Sequence, residues 1–139
     1  MRVLIDTSVF ISYLLNPHQE SFVQLILDEI LEGRLTLLVS DPLLEEIEKT
    51  VKRKKYLIEA ITEKELERFL VVLRAIAEMI PRINSPIPTI TRDVNDDYLI
   101  AYAVVSNADY LVSVDKDLLV LGEIGTLKIV HTGEFRTLL

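Results

Sequence analysis

Residues 2–10 read RVLIDTSVF, and the reading of that stretch decides the fold. Val3–Ile5 is a short apolar run that drives straight into Asp6, and two hydroxyl residues, Thr7 and Ser8, follow at once. An apolar run this short, with no polar alternation, suits a strand covered on both faces, as in a parallel sheet. A carboxylate at the end of such a strand is costly unless a cation or hydrogen-bond donors meet it. Three further runs, Leu35–Val39, Tyr110–Val114 and Leu127–Val130, have the same character and are the expected partner strands.

Helical periods lie between these runs. Phe22, Ile26 and Ile30 repeat every four residues, flanked by Val23, Leu27 and Leu31. Leu43, Ile47 and Val51 form a second stripe, opened by Asp41 as an N-cap with Pro42 at the first helical position. Thr62 and Glu65 make a capping box for a third helix, whose stripe runs Leu66, Phe69, Leu70, Leu73, Ala77, Ile80 before Pro81 ends it. After a loop carrying Pro81, Pro86 and Pro88, with Asp93 as a cap, a fourth helix presents Leu99, Ile100, Ala103 and Val104. Strands alternating with helices imply right-handed crossovers. The expected fold is α/β, a three-layer α/β/α domain with a central, mainly parallel sheet, formed as a single domain over residues 1–139.

Composition narrows the function. At 139 residues, 50% hydrophobic and 27% charged, the chain has the profile of a globular protein. It has no cysteine, which excludes thiolate chemistry and a disulfide framework. It shows neither a long apolar span nor a signal-peptide pattern, so a cytoplasmic location and no membrane association are expected. The net charge of −7 is awkward for a protein that only grips phosphates. Solubility would explain it, and so would acids gathered around a metal ion.

Ligands of open parallel sheets collect beyond the carboxyl ends of the strands. Asp6 follows VLI, Asp115 follows YLVSV, and Asp117 comes two residues later. Glu46 lies in the first two turns of the helix after the second strand. In RDVNDDYLIAYA, Asp96 stands three, four and seven residues before Leu99, Ile100 and Ala103, on the core-facing stripe, with Asp97 turned away. Each acid alone is as readily a turn former, a cap or a solvated helix residue. Together they converge on one edge of one sheet. At about 5 Å and an effective dielectric near 20, each carboxylate pair would repel by roughly 3 kcal/mol, so the cluster needs a counter-charge. Oxygen-only donors suit one or two Mg²⁺ or Mn²⁺ ions, which activate water and stabilise the leaving oxygen of a phosphodiester. On this reading Asp6 ends its strand to hold metal, and Ser8 orients it.

The stretches LIDTSVFISYLL, VSDPLLEEIEKTVKRKKY, RDVNDDYLIAYAVVSNADYLVSVDKDLL and IVHTGEF, in that order and spacing, resemble the PIN-domain family, nearest to the VapC-like toxins of prokaryotic toxin–antitoxin pairs. The resemblance covers nearly the whole chain and implies a metal-dependent ribonuclease. It implies that Asp6, Glu46, Asp96 and Asp115 are the catalytic and metal-binding acids, with Asp117 an auxiliary acid. It also implies Ser8 and Ser113 as supporting hydroxyls, although Ser113 is followed by Val114 where the family commonly has Thr followed by Gly. Glu45 competes with Glu46, and the family's apolar residue after the acid, here Ile47, favours Glu46. The implied partners are an RNA substrate and a small antitoxin protein.

The remaining features are open to plainer readings. Lys52, Arg53, Lys54 and Lys55 either favour a helix C-terminus or contact RNA phosphates. His18 and His131 lack ligand-pair spacing. Tyr13, Tyr56, Tyr98, Tyr102 and Tyr110 offer rings that can stack on bases, though aromatics in an apolar setting are expected in the core. The long apolar stripe of the third helix exceeds one core's needs and suits a homodimer or an antitoxin groove. Two alternatives to a nuclease are a non-catalytic RNA- or partner-binding domain of the same fold and a receiver-type signalling domain. The receiver needs a phospho-acceptor after a middle strand, where this chain has Ser40-Asp41-Pro42.

Overall fold

The first strand, β1 (Arg2–Ile5), has Val3, Leu4 and Ile5 all within 1% of full burial. Successive side chains of a strand point to opposite faces, so both faces of β1 are covered. The computed structural model describes residues 1–17 and 22–139; His18 lies outside the described residues. After β1 come α1 (Thr7–Leu15), α2 (Phe22–Leu31), β2 (Thr36–Ser40), α3 (Asp41–Arg53), α4 (Lys55–Ala60), α5 (Glu63–Ile76) and β3 (Glu78–Ile80). The chain continues through α6 (Val94–Val105), β4 (Tyr110–Ser113), α7 (Lys116–Leu119), β5 (Glu123–Ile124), β6 (Leu127–His131) and α8 (Thr132–Arg136).

The strands form one sheet in the order β3-β2-β1-β4-β6-β5, parallel except where β5 runs against β6. Helices flank it, giving the α/β/α architecture expected. Among the described residues, no helix is long and apolar enough to cross a membrane. From β1 the chain builds outward to β2 and β3 on one side, then returns to lay β4 and β6 on the other. The gap between β1 and β4 is therefore the switch point at which open α/β sheets leave a crevice. The pairing of Ile5 with Val112 sets Asp6 beside Ser113 there, and the Asp6 amide donates to the Val112 carbonyl at 2.9 Å.

Four sequence expectations need correction. The third helix stops at Ile76, and Glu78–Ile80 instead pairs with Leu38–Ser40 as the edge strand β3. Ala77 and Ile80 continue the helical period of Leu73, but three residues fit either period, and Arg2 settles the matter by pairing with Glu78 from across the sheet edge. The cap of α3 is Ser40, whose hydroxyl accepts from the Leu43 amide at 3.3 Å, while Asp41 lies inside the helix and pairs with Arg74 at 2.7 Å. Val104 is exposed rather than part of the buried stripe of α6.

The fourth correction concerns Asp97, which is buried and not turned outward. Its Oδ1 accepts from the amides of Ile90 and Thr91 at 2.9 and 2.7 Å and from the Thr91 hydroxyl at 3.0 Å. Those amides hold its carboxyl below the ordinary aspartate range. The buried Tyr102, further along α6, accepts from the Ile83 amide through its hydroxyl at 3.0 Å. The proline-rich loop is thus fastened to α6 at both of its ends.

The cap assignment is testable by substitution. Ser40→Ala should cost about 1 kcal/mol in urea unfolding, the usual loss for an N-cap. Asp41→Ala, which breaks only an exposed ion pair, should cost less. The reverse order would return the cap to Asp41.

Candidate active site

Asp6 occupies the N-cap position of α1 yet makes no side-chain capping bond. Its carboxylate turns instead into the crevice beside β4, with 9% of the residue exposed. Three hydroxyls organise this corner. Ser113, fully buried at the end of β4, donates to Asp6 Oδ2 at 2.7 Å, and Ser8 donates to the same oxygen at 3.3 Å. Thr7 donates to Glu46 Oε2 at 3.2 Å. Because Ser113 Oγ also accepts the Asp115 amide at 2.9 Å, its single proton is committed to Asp6. Asp115 in turn caps α7 by accepting the Asp117 amide at 2.9 Å. A continuous chain of bonds thus runs from Asp117 through Asp115 and Ser113 to Asp6. Ser113 makes both of its bonds although Val114 follows it.

Glu46 reaches the same corner because α3 starts directly at the end of β2. Leu43, Ile47 and Val51 turn into the core, which leaves Glu46 half-buried on the flank facing α1. Glu45, one residue earlier, points outward and pairs with Arg82 at 3.0 Å. Asp96 is buried in the first turn of α6. Asp93 caps that helix through the Asn95 amide at 2.9 Å.

The electrostatics show that these acids share one space. Burial pushes the Asp96 carboxyl up to about 7, and the charges of Asp115, Asp93 and Asp6 and a hydrogen bond with Asp115 push the same way. Asp6 is also raised, chiefly by burial and then by Asp115, against the opposing bonds from Ser113 and Ser8. Burial raises Glu46 too, with Asp6 and Asp93 adding to it, while the Thr7 bond and the charge of Arg53 act against the shift. Hydroxyls bond to Asp6 and Glu46 but bring no charge, and of the raised acids Glu46 has a cation, Arg53, acting against its shift. The donor set is carboxylate throughout, which fits a hard divalent cation such as Mg²⁺ or Mn²⁺. Among the described residues, no three acids or histidines stand close enough together as placed to hold a metal ion.

The other sequence candidates are placed differently. Asp117 is exposed and its carboxylate pairs with Arg92 at 3.1 Å, while its amide donates to Asp115. Of the basic run, Lys52 pairs with Glu48 at 2.7 Å, Arg53 closes α3, Lys54 is its C-cap and Lys55 begins α4. His131 caps α8 by accepting the Gly133 amide at Nδ1, 3.0 Å. Thr7 and Asp93 were not among the expected site residues. Thr7 was visible as the first of two hydroxyls after Asp6, but only the packing of α1 on α3 shows which acid it serves.

Residues 2–117 match the family described as PIN domain. No curated protein matches the sequence. Among solved structures, the fold is similar to a chain in the crystal structure of VapBC2 from Rickettsia felis bound to a DNA fragment from their promoter. The TM-score is 0.62 at 17% identity, covering 94% of this chain and 98% of that one.

The raised carboxyls carry a definite sign. An acid whose folded pKa exceeds its unfolded one binds its proton more tightly when folded, so stability falls as pH rises between the two values. For Asp96 that window runs from about 3.8 to about 7. In chelator, the melting temperature should therefore decline across this range, and Asp96→Asn should flatten the decline. At pH 8 the variant should be the more stable by on the order of 1 kcal/mol. Parallel pH profiles for the two proteins would mean that Asp96 is not under this strain.

Proposed function

This chain belongs to the PIN-domain family, and we propose that it is a metal-dependent endoribonuclease that hydrolyses RNA phosphodiester bonds as the toxin of a toxin–antitoxin pair. The observation that supports this reading is the mutual influence of the acids near the carboxyl ends of β1 and β4: Asp6 and Asp115 act on Asp96, and Asp6 acts on Glu46. One or two Mg²⁺ or Mn²⁺ ions bound there supply an activated water and a counter-charge for the leaving oxygen.

The chain's own residues have separable roles. Ser113 fixes the spacing of Asp6 and Asp115 from below, since one hydroxyl bonds to both residues. Ser8 and Thr7, on the first turn of α1, orient Asp6 and Glu46 respectively. Asp96 would hold a cation in its deprotonated form, so cation affinity would rise with pH up to about 7. Asp117 joins as an auxiliary acid by leaving an exposed ion pair with Arg92, a contact worth little.

The similar solved structure is, by its title, a VapBC2 assembly on promoter DNA, which supports a small antitoxin as partner here. The exposed Val71 and Val72 on α5 support a homodimer. The cytoplasm, where RNA is met, is the proposed location. A non-catalytic RNA-binding domain is the competing reading, supported by the lack of three such ligands close together among the described residues.

Purified protein should cleave single-stranded RNA with Mn²⁺ and not with chelator, and Asp96→Asn should lower the rate by at least a hundredfold without unfolding. Mn²⁺ should also raise the melting temperature of the wild type through linkage and do little for the variant. Equal responses of the two proteins to Mn²⁺ would remove the main physical support for a nuclease.

A further inference from the structure

A groove of about 300 Å³ lies between α3 and α6 and opens beside the acids. On the α3 side it is lined by Glu46, Lys49 and Arg53, at positions i, i+3 and i+7, which form one face of a helix. Seven residues of helix span ~10 Å, so the face passes from acid to cation as it leaves the cluster. Lys49 and Arg53 make no ion pair within 4 Å among the described residues, whereas Lys52 and Arg82 both do. Two cations without an ion pair among the described residues therefore lie in a groove of a chain whose net charge is −7, Arg53 near enough to Glu46 to act on its charge. On the α6 side stands Tyr98, 41% exposed. Tyr102, one turn further on, is buried and tied to Ile83, so the backbone that presents the Tyr98 ring is held in place.

We propose that this groove is the track for the unpaired RNA strand on one side of the scissile bond, with Lys49 and Arg53 taking phosphates and Tyr98 stacking on a base. The inference rests on the nuclease reading above and adds to it the groove and the three side chains that hold the strand. A base stacked on Tyr98 needs a free face, which a base within a duplex lacks. The basic run contributes through Arg53, the member of it that lines this groove.

The test is binding of a fluorescein-labelled single-stranded RNA, followed by anisotropy in chelator over a range of salt. Lys49→Gln and Arg53→Gln should each weaken binding several-fold and reduce the slope of log K against log salt by about 0.7, the single-strand value per phosphate contact. Tyr98→Ala should weaken binding about tenfold with the slope unchanged, and Tyr98→Phe should restore it. Lys128→Gln, at the opposite edge of the sheet beside Tyr110, should bind as wild type does. A duplex of the same sequence should bind more weakly than the single strand. If the groove variants match wild type while wild type still cleaves RNA with Mn²⁺, the track lies elsewhere and only this inference fails. Equal affinity for duplex and single strand would likewise overturn it. If wild type neither binds nor cleaves RNA, the nuclease reading fails with it.

Discussion

A charged oxygen at the end of a fully buried strand must find donors, and at Asp6 the donors are the Ser113 and Ser8 hydroxyls and the Thr7 amide, all of them neutral. Ser113 and Ser8 satisfy its lone pairs, but neither carries charge to oppose it. The same holds for Thr7 at Glu46. The site is therefore complete as a hydrogen-bond network and incomplete as an electrostatic one. Asp6, Glu46 and Asp96 respond by holding protons more tightly, Asp96 up to about 7. A local imbalance of this kind is kept in a folded protein when it serves a purpose other than stability.

The opposite end of the same strands is arranged in the contrary sense. Arg2 opens β1 and pairs with Glu78 on β3, while its guanidinium also donates to the Ser106 carbonyl and its amide to Asp109. Charges at the amino edge are matched and join three parts of the fold. At the carboxyl edge Asp6, Asp96 and Asp115 have no ion pair among the described residues, and Asp6 and Asp115 raise the proton affinity of Asp96. The parallel sheet makes this segregation possible, because every parallel strand presents the same end to the same edge.

Much of this was legible in the sequence for a simple reason. Short continuous apolar runs have few alternatives to buried parallel strands, so β1, β2, β4 and β6 stood out, as did the acids that terminate or follow them. The placement of Asp96 followed from its spacing to Leu99, Ile100 and Ala103, which a helix makes rigid. What escaped was set by contacts distant in the chain. The strand β3 is three residues long and owes its identity to β2 and to Arg2 rather than to its own pattern. Ser40 and Asp41 are both good caps, and only the backbone decides between them. Asp97 looked solvent-facing because the segment that buries it, around Ile90 and Thr91, has no period to read.

The adjacent acids Asp96 and Asp97 illustrate how little sequence proximity says about chemical duty. One has its proton affinity raised by like charges, the other has it lowered by three donors from a loop. Replacing either by its amide is the same edit on paper. At Asp96 it removes a repulsion; at Asp97 it presents an NH₂ group or a weaker acceptor to the Ile90 and Thr91 amides that donate to its carboxylate. A scan that scores both positions only by lost activity would count them as equals. One loss would be a missing reagent and the other a slackened bench, since the loop that Asp97 pins is anchored to the very turn that carries Asp96.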